Sequence, residues 1–225
     1  MHKLLAFDTS TEHLSVAVRH GERLFTHSGA GGAQASSTLI PLILQLLAEA
    51  GLELAALDAI AFGRGPGSFT GLRTACSVAQ GLAFGSGVRL LPVDTLLAVA
   101  EEARHAFGAR QVVAVLDARM DQLYAARYDF EGGGELGALQ GNDNEPLLLA
   151  PEALEVPAGW SLAGNAFAAY GPRLAPAAPP PQELPTQPTA ELPALTRFPA
   201  ATPAEPAREA VADVAKALAT AQRPL

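Results

Sequence analysis

Residues 63–73 read Gly-Arg-Gly-Pro-Gly-Ser-Phe-Thr-Gly-Leu-Arg, and the rest of the predicted fold is organised around this stretch. It stands between residues 59–62, an apolar run that predicts a buried strand, and residues 69–84, which have a helical pattern. Glycine tolerates a positive φ and proline fixes φ, so the stretch predicts a tight turn from strand to helix. We expect Ser68 to cap that helix through its hydroxyl. A helix N-terminus at such a turn suits an anion or a backbone contact.

Two motifs of known chemistry are incomplete in this stretch. A P-loop carries a lysine after its last glycine, but Leu72 follows Gly71. A hydrolase nucleophile elbow carries a glycine two residues before its serine, but Pro66 stands there. We therefore expect Ser68 to be a cap and not a nucleophile. Three residues of the stretch are candidates for a degenerate nucleotide or anion site: Gly65, Gly67 and Ser68.

Composition and charge restrict the function classes. The chain has 225 residues, 49% of them hydrophobic, which is enough for a sizeable core in one large or two small domains. Its formal net charge of −8 is opposite to the basic face of a nucleic-acid binder, so we expect any nucleic-acid contact to come through a partner. Neither a signal peptide nor a membrane-spanning run is apparent, which predicts a cytoplasmic protein without a membrane partner. The single cysteine, Cys76, excludes an internal disulfide and predicts a packed thiol.

The hydrophobic pattern predicts alternating strands and helices in two similar halves. In the first half we expect strands at 3–7, 14–19, 23–27, 59–62 and 88–93, with helices at 39–50, 69–84 and 95–107. At residue 111 the pattern begins again, because a strand ends at Asp117 as an earlier one ends at Asp8. Leu123 then follows six residues later, as Leu14 does in the first half. This faint repeat predicts two related subdomains.

The second half is less regular along its length. We expect a glycine-rich loop at 132–144, a strand at 147–149, a helical turn at 151–154, a strand at 160–163, a proline-rich connection at 175–206 and a final helix at 205–219. The predicted domains are 1–108, then 109–204 with the proline-rich connection, and a terminal helix in 205–225 that packs back on the first.

A polar turn follows the first strand of each half. Residues 8–11 are Asp-Thr-Ser-Thr, and residues 117–119 are Asp-Ala-Arg. Similar turns hold metal and phosphate in the actin, hexokinase and Hsp70-like ATPases, although those usually carry glycine at the second or third position. The alternative is an Asp-capped hairpin, with Arg119 paired to Asp117 or Asp121. The candidates that these turns add to the degenerate nucleotide or anion site are Asp8, Thr9, Ser10, Thr11, Asp117 and Arg119.

The spacing of the histidines does not predict a metal site. The histidines are His2, His13, His20, His27 and His105. No two of them share a helical turn, and none has metal-type spacing to a carboxylate on a predicted helix. We therefore expect no metal and no cofactor.

Two blocks of sequence together resemble the TsaB (YeaZ) family, the dimerisation subunit of the bacterial tRNA threonylcarbamoyladenosine machinery. The first block is residues 6–17, with Ala-Phe-Asp-Thr-Ser-Thr and Leu-Ser-Val-Ala, and the second is the stretch 63–73. Residues 79–83 and 116–120 support the match, which covers residues 3–128 well. The resemblance implies an α/β, actin-like fold (ribonuclease H-like, or ASKHA) of two related subdomains with mixed sheets.

The resemblance also implies a non-catalytic role. Members of the family look like degenerate relatives of the catalytic subunit TsaD, which transfers a threonylcarbamoyl group to the adenosine beside the tRNA anticodon. TsaD carries its metal on two helix histidines four residues apart, whereas the matching helix here begins Gln-Ala-Ser-Ser at residues 34–37. The resemblance thus implies that the isolated chain is inactive and forms a homodimer when alone. It also implies that the chain binds and supports TsaD, that a TsaE-type ATPase joins the complex, and that tRNA is bound only through the complex.

In the family, the two helices of the first subdomain pack against their counterparts in TsaD. Here these helices are residues 36–50 and 69–84, with Ser36 and Ser37 available to cap the first. The wide apolar set of the first helix suits both the core and a second surface. The interface candidates are Leu39, Leu42, Ile43, Leu46, Phe69, Leu72, Arg73, Cys76 and Gln80.

Two other functions are alternatives to this hypothesis. An actin-like enzyme, either a sugar-kinase-like ATPase or a metalloprotease, would use Asp8, Thr9 and Asp117 to bind magnesium and nucleotide. Direct tRNA binding by the lone chain is the other alternative, and the net charge of −8 argues against it.

Overall fold

Two five-stranded mixed sheets make up the computed structural model, which describes residues 2–130, 146–174 and 183–185. The loop predicted at 132–144 and the final helix predicted at 205–219 lie outside the described residues, as does most of the proline-rich connection. None of the helices within the described ranges is long and apolar enough to cross a membrane.

The strands and helices alternate much as the sequence predicts. The first sheet contains β1 (Lys3–Asp8), β2 (His13–His20), β3 (Arg23–Ala30), β4 (Ala59–Gly65) and β5 (Arg89–Asp94). The second contains β6 (Gln111–Arg119), β7 (Gln122–Asp129), β8 (Leu147–Leu149), β9 (Ser161–Gly164) and β10 (Glu183–Pro185). The helices are α1 (Ala35–Ala50), α2 (Phe69–Ser86), α3 (Thr95–Phe107) and the one-turn α4 (Phe167–Tyr170).

The two sheets have the same topology. The strand order is β3-β2-β1-β4-β5 in the first sheet and β8-β7-β6-β9-β10 in the second. In each sheet the first three strands along the chain are antiparallel neighbours, and the last two are added in parallel. This repetition confirms the predicted α/β, actin-like fold of two related halves with mixed sheets. The domain boundaries after residues 108 and 204 stay a prediction.

One detail of the predicted repeat is wrong. Asp8 pairs with Ser15 across the first hairpin, whereas Asp117 pairs with Leu123 across the second. The partners are seven positions apart in the first hairpin and six in the second, where a register shift follows Asp117. Leu123 therefore matches Ser15 and not Leu14, because the second turn is one residue shorter.

The side chains of β1 alternate between two cores, since successive residues of a strand face opposite sides of a sheet. Leu5 and Phe7 face α1 and α2, while Leu4 and Ala6 face α3. The third helix lies between the two sheets and packs against strands of both. A further core covers the far face of the second sheet, where Tyr170 packs with residues of β6 and β9.

The start of α1 differs from the prediction. The helix begins at Ala35, and its N-cap, Gln34, has helical backbone angles and no side-chain capping bond. The hydroxyls of Ser37 and Thr38 donate back to the Gln34 carbonyl oxygen at 2.9 and 3.0 Å. The predicted capping by Ser36 or Ser37 is therefore wrong, because the preceding turn of 3₁₀-helix at residues 32–34 runs directly into α1.

Candidate functional site

The polar turn after β1 is buried and closed on itself. Residues 8–11 are all buried, and Asp8 is only 1% exposed. The Asp8 Oδ1 atom accepts hydrogen bonds from the Ser10 backbone N–H at 2.8 Å and from the Ser10 hydroxyl at 2.6 Å. This is an Asx-turn, in which the aspartate caps its own loop. The structure therefore favours the Asp-capped hairpin over an open phosphate loop.

The glycine stretch covers this turn. The Ser68 backbone N–H donates to the Ser10 carbonyl oxygen at 2.7 Å, and the Thr9 hydroxyl donates to the Gly71 carbonyl oxygen at 2.8 Å. Ser68 occupies the predicted N-cap position of α2, but its hydroxyl makes no capping bond, so that part of the prediction is wrong. The capping geometry is lost because the backbone of Ser68 is drawn onto the β1 turn.

Three glycines permit this close approach. A Cβ atom on Gly63 would lie 1.8 Å from Asp8 Oδ2, and one on Gly71 would lie 1.8 Å from the Thr9 carbonyl oxygen. A Cβ atom on Gly67 would lie 2.5 Å from the carbonyl oxygen of Ser10 in the same turn. Gly67 and Gly71 would meet backbone atoms, so these two positions require glycine, whereas a side chain at Gly63 would displace the Asp8 carboxyl group. Of the residues predicted for an anion site, Thr9, Ser10 and Gly67 are engaged in this contact between the two turns, and the site as a whole stays a prediction.

The burial of Asp8 changes the pKa of its carboxyl group. Burial raises the pKa of Asp8 from 3.8 to about 6, and the two hydrogen bonds from Ser10 oppose that rise. The Oδ2 atom has no hydrogen-bond partner among the described residues and lies against Gly63. A carboxylate left without a partner for one oxygen favours its neutral form, which explains the direction of the shift.

Asp117 faces a different compartment from Asp8. Its Oδ1 atom accepts hydrogen bonds from the Tyr170 hydroxyl at 2.9 Å and the Arg119 backbone N–H at 2.8 Å. Tyr170 belongs to the core on the far side of the second sheet, whereas Asp8 lies on the side of β1 that faces α3. The side chains of the two aspartates therefore face different sides of their sheets, which does not favour the predicted use of both for magnesium and nucleotide. Within the described residues, no group of three or more His, Cys, Asp or Glu side chains is placed to hold a metal ion.

The outward faces of α1 and α2 carry a different set of apolar residues from the predicted one. Leu39, Ile43 and Leu46 are buried in the core against the first sheet, so they are corrected from interface candidates to core residues. Four large apolar side chains are exposed on these helices: Ile40, Leu44, Phe69 and Phe84, of which Leu44 is 54% and Phe84 is 96% exposed. The interface prediction included Phe69 and missed the other three. The spacing of Ile40 and Leu44, one helical turn apart, is the signal that identifies this second face.

The other interface candidates divide by exposure. Leu42, Leu72 and Cys76 are half-buried, and the Cys76 thiol packs against the core as predicted. Arg73 and Gln80 are exposed on α2.

The two arginines of the glycine stretch differ in their partners. Arg64 donates two hydrogen bonds to the carboxylate of Asp94, at 2.9 and 2.7 Å, across neighbouring strands. Arg73 instead lies over the ring of Phe69, with its Cζ atom 3.8 Å from the ring centroid. Of the two, Arg73 is therefore the one available to another molecule.

Comparison with known proteins identifies relatives along most of the chain. A family model described as TsaD, tRNA N6-adenosine threonylcarbamoyltransferase, matches residues 30–142. The Escherichia coli tRNA threonylcarbamoyladenosine biosynthesis protein TsaB is 34% identical over 172 residues, which cover 75% of this chain and 73% of that protein. The structure of YeaZ from Pseudomonas aeruginosa matches with a TM-score of 0.72 and 41% identity, over 82% of this chain and 84% of that one.

This chain belongs to the TsaB (YeaZ) family. The Haemophilus influenzae protein of the same TsaB name is 46% identical over 122 residues. That match covers 54% of this chain but only about half, 51%, of the Haemophilus protein.

One further feature of this TsaB-family chain was only partly visible in the sequence. At the turn between β6 and β7, Arg119, Met120 and Asp121 all have positive φ angles, of 64°, 52° and 67°. Arg119 pairs with Asp117 at 3.2 Å, as one predicted alternative has it, and also with Glu12 on the first half of the chain. The second pairing joins the two polar turns, and no local pattern indicates it.

Proposed function

We propose that this chain is a non-catalytic subunit that supports threonylcarbamoylation of the adenosine next to the tRNA anticodon by binding a TsaD-type catalytic subunit. The observation that carries the proposal is the outward surface of α1 and α2, which exposes Ile40, Leu44, Phe69 and Phe84. Large apolar side chains exposed on two neighbouring helices favour a contact with another protein. The names of the TsaB relatives support the pathway, since both refer to threonylcarbamoyladenosine biosynthesis.

Two features of the chain support the lack of catalysis. The turn at residues 8–11 is buried beneath residues 67–71, so it offers no open surface to a phosphate group. The helix α1 contains no histidine, so it lacks the pair of metal ligands that the TsaD resemblance implies at this helix. Both features argue against a phosphate site and a metal site, and they favour a role in binding through α1 and α2.

The other expected partners belong to the same proposal. A TsaE-type ATPase joins the complex, and a homodimer forms through α1 and α2 when the TsaD-type subunit is absent. The tRNA meets the complex and not the lone chain, because a net charge of −8 opposes binding to phosphates. The proposed location is the cytoplasm, where tRNA is modified.

Co-purification tests the proposed function. The tagged chain, expressed at native level, is expected to bring down a TsaD-type subunit from its own cells. Deletion of its gene is expected to remove threonylcarbamoyladenosine from digested tRNA, as measured by mass spectrometry of the nucleosides. Recovery without that subunit, together with unchanged tRNA modification, would overturn the proposal.

Calorimetry with ATP and magnesium tests the enzyme hypothesis on the isolated chain. We expect no binding heat, because Asp8 and Asp117 face different compartments and the Asp8 turn is closed. Tight binding followed by nucleotide turnover would favour a sugar-kinase-like enzyme instead.

A further inference from the structure

Arg73 has no carboxylate partner among the described residues, unlike five other arginines there. Arginines that do form ion pairs with Asp or Glu side chains stand at positions 64, 104, 119, 127 and 173. The Arg73 guanidinium is instead held flat over the Phe69 ring. Stacking fixes the plane of the guanidinium but leaves its N–H edges for a ligand, which a carboxylate matches with two parallel hydrogen bonds.

Arg73 lines a shallow groove of about 390 Å³ where the start of α1 meets the first half of α2. The other lining residues are Ser36, Phe69, Thr70, Thr74, Ser77 and Val78. The Thr74 hydroxyl donates to the Thr70 carbonyl oxygen at 3.0 Å. The Thr70 and Ser77 hydroxyls of the groove suit an anion beside the guanidinium, because a hydroxyl can donate a hydrogen bond to it. The apolar rings and methyl groups of the same groove suit the hydrocarbon part of a side chain.

We propose that this groove receives an aspartate or glutamate side chain from a helix of the TsaD-type partner, and that Arg73 donates two parallel hydrogen bonds to its carboxylate. This inference rests on the proposed function, and it adds that the partner presents an acidic side chain to Arg73. The groove is continuous with the exposed apolar surface, since Phe69 belongs to both. A helix that covers this surface would bring its apolar side chains and one acidic side chain together.

A second copy of this chain does not supply the acid. The helix α2 contains no Asp or Glu, and α1 contains only Glu49, in its last turn. Glu49 already accepts a hydrogen bond from Gln45 at 2.9 Å. A symmetric pair would therefore bury two Arg73 side chains without matching carboxylates, because both copies present the same patch. Charge complementarity selects a different chain as the occupant of the groove.

The test is the affinity of the purified full-length chain for the purified TsaD-type subunit of the same organism, by calorimetry at low and high salt. Arg73→Gln is expected to weaken binding about 10- to 100-fold and to flatten its salt dependence. Arg73→Lys is expected to lose part of that affinity, because an ammonium group cannot form the planar two-bond pair. The unfolding midpoint of both variants is expected to stay close to that of the wild type, since the side chain is exposed.

Arg23→Gln is the matched control. Arg23 is also exposed and lies over a phenylalanine ring, that of Phe25 on β3, at 4.7 Å. Its replacement removes the same charge and the same kind of stacking away from α1 and α2. We expect it to change the affinity by less than about twofold.

Each outcome of the experiment decides a separate point. Equal affinity of the wild type and Arg73→Gln overturns this inference and leaves the proposed function standing. No binding by the wild type overturns the proposed function and this inference with it. Weaker self-association with unchanged heterologous affinity makes a second copy the occupant and also overturns the inference.

A charge exchange identifies the acid directly. Arg73→Glu is expected to abolish binding, and replacement of one acidic residue on the partner's docking helix by arginine is expected to restore it. The absence of any restoring position on the partner's helices contradicts the proposed pair.

Discussion

Single residues explain why the glycine stretch has its composition. Gly63, Gly67 and Gly71 are spaced four residues apart, and each lies against the turn at residues 8–11. The glycines serve the approach of two backbones and not the approach of a phosphate. The main evidence is that the Gly71 carbonyl oxygen and the Thr9 hydroxyl are joined directly, with no space for a ligand between them.

Gly71→Ala is expected to destabilise the fold by about 1–3 kcal/mol or more, because the new methyl group meets the Thr9 carbonyl at 1.8 Å. Gly81→Ala on the same helix is the control, since a Cβ atom there meets nothing within 4 Å. That control is expected to stabilise by up to about 1 kcal/mol through helix propensity. Urea unfolding measures both changes. Equal midpoints for the two variants would contradict the close approach.

Asp8→Asn is expected to remove a pH dependence of stability. Since the pKa of Asp8 is about 6 in the folded chain and 3.8 ordinarily, the folded state binds the proton more tightly than the unfolded state. The contribution of Asp8 to the free energy of unfolding is therefore largest below about pH 4 and falls by about 3 kcal/mol as the pH rises to 6 and above. Urea unfolding from pH 4 to pH 8 measures the difference between wild type and variant. Parallel pH profiles would show that Asp8 titrates normally.

At the scale of elements, α1 is a helix with two apolar faces. Ile43 is fully buried against the first sheet, while its neighbour Leu44 is more than half exposed. An apolar set this wide exceeds what one core requires, and the surplus forms the surface proposed to bind the TsaD-type subunit. Which leucine belongs to which face depends on the rotation of the helix about its axis.

Leu44→Glu is expected to leave the fold intact and to weaken binding of the TsaD-type subunit by about tenfold or more, because the charge enters an apolar contact. Ile43→Glu, one position away, is expected to unfold the chain, since it buries a charge without a partner. Leu24→Glu on β3, an exposed leucine outside both helices, is the control. Thermal unfolding and calorimetry measure the two effects. Loss of folding in Leu44→Glu would assign Leu44 to the core instead.

At the scale of the whole molecule, one core joins the two sheets. The helix α3 contributes Leu96 and Val99 to it, and β6 contributes Val112 and Leu116. The ion pair between Arg119 and Glu12 also links the halves, but both side chains are 68% exposed. Pairs this exposed contribute about 0–1 kcal/mol, so the shared core is the main link between the sheets.

Leu96→Ala is expected to destabilise both halves together, by about 3–5 kcal/mol, because Leu96 is fully buried between the sheets. Trp160 is the single tryptophan and packs in the core of the second sheet, so its fluorescence reports on that half. Urea unfolding followed by fluorescence and by circular dichroism is expected to give coincident transitions, both shifted. A shift in circular dichroism alone would show that the halves unfold independently.

Local sequence patterns were sufficient to predict the strands, the helices and the family of this chain. Strand alternation, helical periodicity and the glycine-rich turn are local patterns, because each depends on residues within a few positions of one another. The Asp8 and Asp117 turns indicate the repeated halves, and the long glycine stretch indicates the TsaB family. These features are set by short-range backbone and side-chain geometry.

Long-range contacts set the role of each of these strands, helices and turns. It put residues 67–71 over the Asp8 turn, turned Asp117 towards Tyr170, and divided the leucines of α1 between the core and the surface. Each of these depends on contacts between residues distant along the chain, or on the rotation of a helix against a sheet. The two halves share their strand order but not their pairing register. A turn that is shorter by one residue shifts the strand that follows it, and each of its side chains with it.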